Sequence, residues 1–339
     1  MTAKTRGAPS SADAPTGAMA PREWAVLFGL GLIWGTSYLF IKVAVQEFPP
    51  PTLVAVRLGL AAVCLAPVVW MRGLNFPRDA RTWTHLTTLG TVNAAVPITL
   101  IAWGEQSITS AAASVLNATT PLWSALLAHL VGEEVLSVRR VVGVALGLGG
   151  VVVLLGLDPA ELGRGHLLGS LAVVVASALY AVGILYARNR LGHLHPLVVS
   201  AGSLVGGTAF LLPAAVAAGF PAQPTLGPVA SLLALSVFGT GVAYLLYFHL
   251  VMTVSPTQTA LVTYLNPATA VFWGWLVLGE AVTGQTLGGL ALILAGIALA
   301  SRSAPTRESR VVRRTRTAGA AARGGRSQGV WRWKRHRDR

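Results

Sequence analysis

Trp34, Asn93, Asn117, Tyr180, Tyr244 and Tyr264 each stand near the middle of a long apolar run. A tyrosine or asparagine surrounded by hydrocarbon must find a polar partner or water, because burying it unpaired is unfavourable. Brought together, these side chains would form a polar and aromatic cavity of the kind that holds a small organic guest, with rings to stack on it and amides and hydroxyls to hydrogen-bond it. Ser37 and Tyr38 in the first run and Asn266 in the ninth complete the candidate substrate-binding set. Taken singly, each has a plainer role: a Ser or Asn bonds a neighbouring helix, and a Trp or Tyr marks the membrane interface. Their shared depth favours the cavity.

Other chemistries find little support. Gly35-Thr36-Ser37 has the Gly-x-Ser form of some serine nucleophiles, but no histidine is spaced to pair with Ser37. There is no His-Glu-x-x-His run, no pair of Asp residues within the runs and no phosphate-binding loop. A single cysteine, Cys64, excludes an internal disulfide and a cysteine metal cluster. No cofactor or metal is expected, and the chain does not read as an enzyme. Every Asp and Glu lies near a run's end or outside the runs, so no buried proton-relay carboxylate is evident. Arg57 is the one charge clearly inside a run. Two roles are open to it: snorkelling to the outer headgroups, or attracting an anionic substrate.

Composition dictates the scaffold for these side chains. The chain is 53% hydrophobic and 11% charged, too few charges to cover a water-facing surface, so lipid is the solvent for much of it. Ten apolar runs approach the length of a membrane span: 24–45, 52–71, 83–103, 107–130, 140–157, 166–187, 196–217, 226–249, 257–278 and 283–301. They are continuous rather than alternating, so they predict helices and not barrel strands. The expected fold is an all-α integral membrane protein of ten transmembrane helices.

With a cytoplasmic N-terminus, the inner loops carry Arg72, Arg78, Arg81, Arg139, Arg140, Arg188 and Arg190. The outer side carries only Arg164 and Lys42. That asymmetry places both termini in the cytoplasm of a plasma-membrane protein. Residues 1–22 read as a disordered leader. Residues 302–339 hold 13 of the 26 Lys and Arg residues and read as a disordered cytoplasmic tail. It could bind anionic lipid, with Trp331 and Trp333 at the interface, but no nucleic-acid partner is expected.

A shift of 146 residues aligns the chain with itself. Pro50 meets Pro196, Pro67 meets Pro213, Pro121 meets Pro267, Glu134 meets Glu280, Gly143 meets Gly289, Gly150 meets Gly296, and Trp34 meets Tyr180. The halves, 23–157 and 165–301, each hold five helices. An odd number forces the second to enter the membrane from the opposite side, so the repeats are inverted, an architecture of secondary transporters. Pro121 and Pro267 should free the carbonyls of Asn117 and Thr263 beside the cavity. Glu134 and Glu280 should cap or brace helix ends. The fifth and tenth runs lack polar residues almost entirely and read as peripheral supports or a homodimer face.

From about Trp24 to Ser301 the chain resembles the EamA-like exporters of the drug/metabolite transporter superfamily. The resemblance rests on Trp34-Gly35-Thr36-Ser37 with Lys42, on Arg57, and on Pro121 through Glu134 to Gly143 and Gly150. Its second copy is Tyr264-Leu265-Asn266-Pro267 through Gly279-Glu280 to Gly289 and Gly296. It implies a secondary transporter exporting a small organic metabolite through a cavity lined by the first, third, fourth, sixth, eighth and ninth helices. The partners are then a small-molecule substrate and membrane lipid. The rival readings are a non-transporting membrane receptor or scaffold and, less favoured, an intramembrane enzyme. One departure from the family pattern is that Arg57 has Ser203 as its counterpart, so that charge is not duplicated.

Overall fold

A computed structural model describes residues 19–132, 137–155, 164–254, 256–259 and 261–301. Most of the expected leader, Glu134 and the Arg-rich tail lie outside the described residues. Every described element is a helix: α1 (Pro21–Ala44), α2 (Pro50–Met71), α3 (Ala80–Gly104), α4 (Ser110–Asn117), α5 (Thr120–Leu130), α6 (Val138–Leu155), α7 (Arg164–Leu191) and α8 (Pro196–Ala218). After them come α9 (Leu226–Ser236, a π-helical turn at Val237–Val242, then Ala243–Thr253), α10 (Pro256–Thr259), α11 (Val262–Leu278) and α12 (Gly284–Ser301).

Six helices are long and apolar enough to cross a membrane: α1, α2, α3, α7, α8 and α9. Shorter apolar stretches lie at Val141–Leu154, Val262–Leu278 and Gly284–Ala300. The expected fourth span is divided. α4 ends at Asn117 and α5 begins at Thr120 with Pro121 in its first turn, because proline has no N–H to continue the ladder and its ring clashes with the turn before it. The ninth is likewise preceded by a separate short helix, α10.

The helix starts follow local chemistry. Proline opens α1, α2 and α8, where its missing N–H is no loss and its fixed φ suits the first turn. Asp79 caps α3 by accepting from Thr82 N at 2.7 Å, and Thr109 caps α4 by accepting from Ala112 N at 3.1 Å. One α4 cap comes from the other half of the chain. α11 ends at Gly279, which takes a left-handed φ of 66°, and Glu280 N bonds back to Gly274 O at 3.0 Å. That turn sends the Glu280 carboxylate onto the start of α4, where it accepts from Ser110 N at 2.7 Å, Ser110 Oγ at 2.9 Å and Ala111 N at 3.1 Å. An anion at a helix N-terminus is favoured by the helix dipole and by the unpaired N–H groups. Gly274 leaves room for it, since a Cβ there would strike the carboxylate. The expectation that Glu280 braces a helix end thus acquires a particular partner.

Contacts between the halves repeat under the 146-residue shift. α6 packs on α12, α2 on α8, and α1 on α11, which is matched by α7 on α5. A Cβ on Gly143 would lie 2.8 Å from Gly296 O, and one on Gly150 would lie 2.9 Å from Gly289 O. Because position rises on one helix as it falls on the other, α6 and α12 cross antiparallel, each equivalent glycine meeting the other's partner. Gly31 faces Leu265, and the equivalent pair Ser177 and Thr119 are joined hydroxyl to hydroxyl at 2.9 Å. The π-helical turns obey the same shift: Thr91–Ala95 in α3 and Val237–Val242 in α9 start 146 residues apart. Without a hydrophobic drive between helices in lipid, such close small-residue contacts supply the packing.

Two substitutions test this packing. Gly296→Val should cost about 1 to 3 kcal/mol by overpacking, lowering the midpoint of thermal unfolding in detergent. Gly149→Val, where a Cβ meets nothing within 4 Å, should leave it near the wild-type value. Glu280→Ala should cost about 1.5 to 3 kcal/mol, the range for charge-assisted hydrogen bonds, and Glu280→Gln should recover part of it in the same assay.

Candidate functional site

A cavity of about 620 Å³ opens between the halves. Its wall includes Trp34, Ser37 and Tyr38 from α1, Asn93 from α3, Asn117 from α4, Tyr180 from α7, Tyr244 from α9 and Asn266 from α11. Tyr264, expected with them, is not in the wall; it is partly buried and packs against the hydrophobic core. Pro267 stays inside an unbroken α11. Residues three apart on that helix, Thr263 and Asn266, face the cavity together, and Tyr264 is turned by one residue's rotation to another face.

The two π-helical turns gather at this cavity. The α3 π-turn carries Asn93, and the α9 π-turn carries Gly239 and Thr240, all three in the wall. An inserted residue in a π-turn rotates the remainder of its helix, a frequent device at functional sites. The two turns meet opposite partners. Asn93 packs against Gly183 of α7, and the equivalent contact places Ser37 of α1 against Gly239 of α9, where a Cβ would come within 2.9 Å of Ser37 Oγ. Large and small residues are exchanged between the two equivalent contacts. The cavity is therefore symmetric in backbone and asymmetric in chemistry.

Hydrogen bonds order one wall. Asn117 Nδ2 donates to Tyr38 Oη at 2.8 Å, while Asn117 Oδ1 and Asn266 Oδ1 are buried with no partner among the described residues. Two amide oxygens of cavity-wall residues thus keep unused acceptor capacity. The carbonyl that Pro121 frees at Asn117 is taken instead by Thr120 Oγ1, at 2.8 Å. The Trp34 and Tyr247 rings lie 5.5 Å apart at 41° and form an aromatic corner.

Arg57 does not snorkel outward. It is 7% exposed, lines the cavity, and donates from Nε to Thr240 Oγ1 at 2.9 Å. Thr240 in turn reaches Leu235 O at 3.3 Å, five residues back across the π-turn. Ser114, Thr120 and Thr263 also reach the wall and were not in the sequence-derived set. Their only signal is a hydroxyl on the face shared with Asn117 or Asn266.

Lys42 and Glu105 lie outside the wall. Lys42 Nζ donates to the main-chain carbonyls of Glu105 and Ile108, at 2.7 Å for the latter, and ties the end of α1 to the turn after α3. Glu105 stands at a helix end, as the sequence indicates, yet it is 0% exposed.

A model of the EamA-like transporter family matches this chain twice, at residues 23–156 and 167–302. The inner membrane transporter YedA of Escherichia coli (strain K12) is 27% identical over 277 residues, covering 81% of this chain and 87% of its own. A transporter of Archaeoglobus fulgidus is 29% identical over 272 residues, 79% of this chain and 93% of its own. The probable terminal-alkyne amino-acid exporter of Streptantibioticus cattleyicolor is 27% identical over 283 residues, 82% of this chain and 93% of its own. A solved crystal structure shares the fold with a TM-score of 0.60 at 21% identity, covering 83% of this chain and 97% of the other. With both repeats matched and a cavity between them, the chain belongs to the EamA-like transporter family of membrane proteins.

Proposed function

We propose that this protein is a secondary transporter that exports a small organic metabolite, an amino acid or a related compound, by alternating access around the central cavity. The observation that carries the reading is the cavity itself. It is large enough for a small metabolite, is walled by amides, phenols and hydroxyls from both repeats, and sits where equivalent contacts of the two halves meet. Trp34, Ser37, Tyr38, Asn93, Asn117, Tyr180, Tyr244 and Asn266 bind substrate in this account, with the rings stacking on it and the amides accepting its donors. Tyr264 supports α11 from behind.

In the same account the chain crosses the membrane ten times. α4 with α5 makes the fourth span and α10 with α11 the ninth, and the two five-helix halves are inverted in the plasma membrane. Both termini are cytoplasmic, in keeping with the Arg distribution in the short loops. The export direction and the amino-acid class lean on the likeness to the Streptantibioticus exporter.

Flux through the purified protein tests the reading. Reconstituted in liposomes and offered a panel of amino acids and related metabolites, it should carry at least one with saturable kinetics. Asn93→Leu should lower kcat/KM for that compound by about tenfold or more, since a wall built to hydrogen-bond a guest loses much when the bond is lost. No flux of any panel member, or flux indifferent to Asn93→Leu, would contradict it.

A further inference from the structure

Among the described residues Arg57 is a cation without an anion. Its side chain is buried in the cavity wall, and among the described residues it makes no ion pair. Its one hydrogen bond there is from Nε to Thr240 Oγ1. Among the described residues the wall holds no Asp or Glu. The one carboxylate with an electrostatic influence on Arg57, Glu105, lies outside the wall and forms no ion pair with it. A guanidinium so withdrawn from water is unfavourable unless something supplies charge and acceptors.

The way it is held points to what that something is. With Nε committed to Thr240, the two Nη groups remain as the outward end of the fork, the geometry that receives a carboxylate through two parallel hydrogen bonds. The phenols of Tyr38, Tyr180 and Tyr244 line the same cavity, and each can donate a further hydrogen bond to an oxyanion. Ile41, Leu58, Ile98 and Ile101 line the remaining space beside the Trp34 and Tyr247 corner. The repeat-equivalent position of Arg57 is Ser203, so the cavity has one such anchor and not two.

We infer that Arg57 is the anion anchor of the cavity and that the substrate is a small molecule bearing a single carboxylate on an apolar or aromatic body. The inference rests on the transport reading above and adds the chemical class of the substrate. Thr240 is a positioning residue: by accepting from Nε it orients the guanidinium.

Matched probe series test this on the full-length protein in phosphatidylcholine nanodiscs, where no anionic headgroup competes for the site. The series are 3-phenylpropionate, 3-phenylpropionamide and 3-phenylpropylamine, then hexanoate, hexanamide and hexylamine, then a panel of further monocarboxylates with their primary amides. Ligand-induced shift of the unfolding midpoint and direct titration are read together. At least one carboxylate should bind roughly 10- to 100-fold more tightly than its amide, the scale of a charge-assisted hydrogen bond. Its amine should bind no better than the amide. Arg57→Gln should abolish the preference for carboxylate over amide, and Arg57→Lys should keep part of it.

Amides or amines that match their carboxylates, no binding by any carboxylate, or a carboxylate preference that survives Arg57→Gln would each overturn the inference. The wild-type comparison needs no variant, so a folding defect in Arg57→Gln does not blunt the test. Liposome flux separates the two levels. If amides or amines are carried and carboxylates are not, transport stands and the anion assignment falls. If no probe or metabolite is carried, both fall.

Discussion

A backbone N–H or C=O without a partner is not tolerated against hydrocarbon, and this constraint decides where the chain can be irregular. The outer helices are regular and apolar. The π-turns of α3 and α9 and the break between α4 and α5 lie at the cavity, and the proline inside α11 is buried, while the prolines inside α2 and α8, Pro67 and Pro213, stand on exposed faces. Each leaves backbone groups that something else must satisfy. Thr120 Oγ1 takes the carbonyl of Asn117, and Thr240 Oγ1 reaches that of Leu235. The cavity is where polar side chains and broken backbone can support one another, so one constraint gathers both.

The two-fold relation between the halves comes from close contacts made twice. The glycines of α6 and α12 meet in reverse order, and the pairs Gly31 with Leu265 and Ser177 with Thr119 occupy equivalent positions. The relation is broken where the guest would sit. Asn93 faces Gly183 while Ser37 faces Gly239, and Arg57 faces Thr240 while its counterpart is Ser203. A scaffold with near-equivalent halves can rock between two arrangements of similar energy, while an asymmetric lining gives the guest one preferred orientation.

The all-helical, two-repeat scaffold was legible in the sequence, because apolar run length and the repeated Pro and Gly are local signals. Position within the runs also grouped Trp34, Asn93, Asn117, Tyr180 and Tyr244, which line one cavity. Facing was not legible. Thr263 and Tyr264 are adjacent, one step of about 100° on a helix, and only the former reaches the wall. The π-turns carry no proline to announce them; Gly239-Thr240-Gly241 is a faint mark in a glycine-rich chain. The inward turn of Arg57 depends on Thr240, 183 residues away, and Glu105 sits at a helix end yet is covered by other parts of the fold. Such facts belong to the packing of distant elements, which periodicity does not encode.

If one cavity serves both sides of the membrane, a thiol placed in its wall must be reachable from each of them in turn. In a Cys64→Ser background, Asn93→Cys would be exposed to a membrane-impermeant maleimide from either face of oriented vesicles. Alternating access predicts labelling from both sides, slowed from both by a transported compound. Labelling from one side alone, at a rate no compound alters, would contradict it.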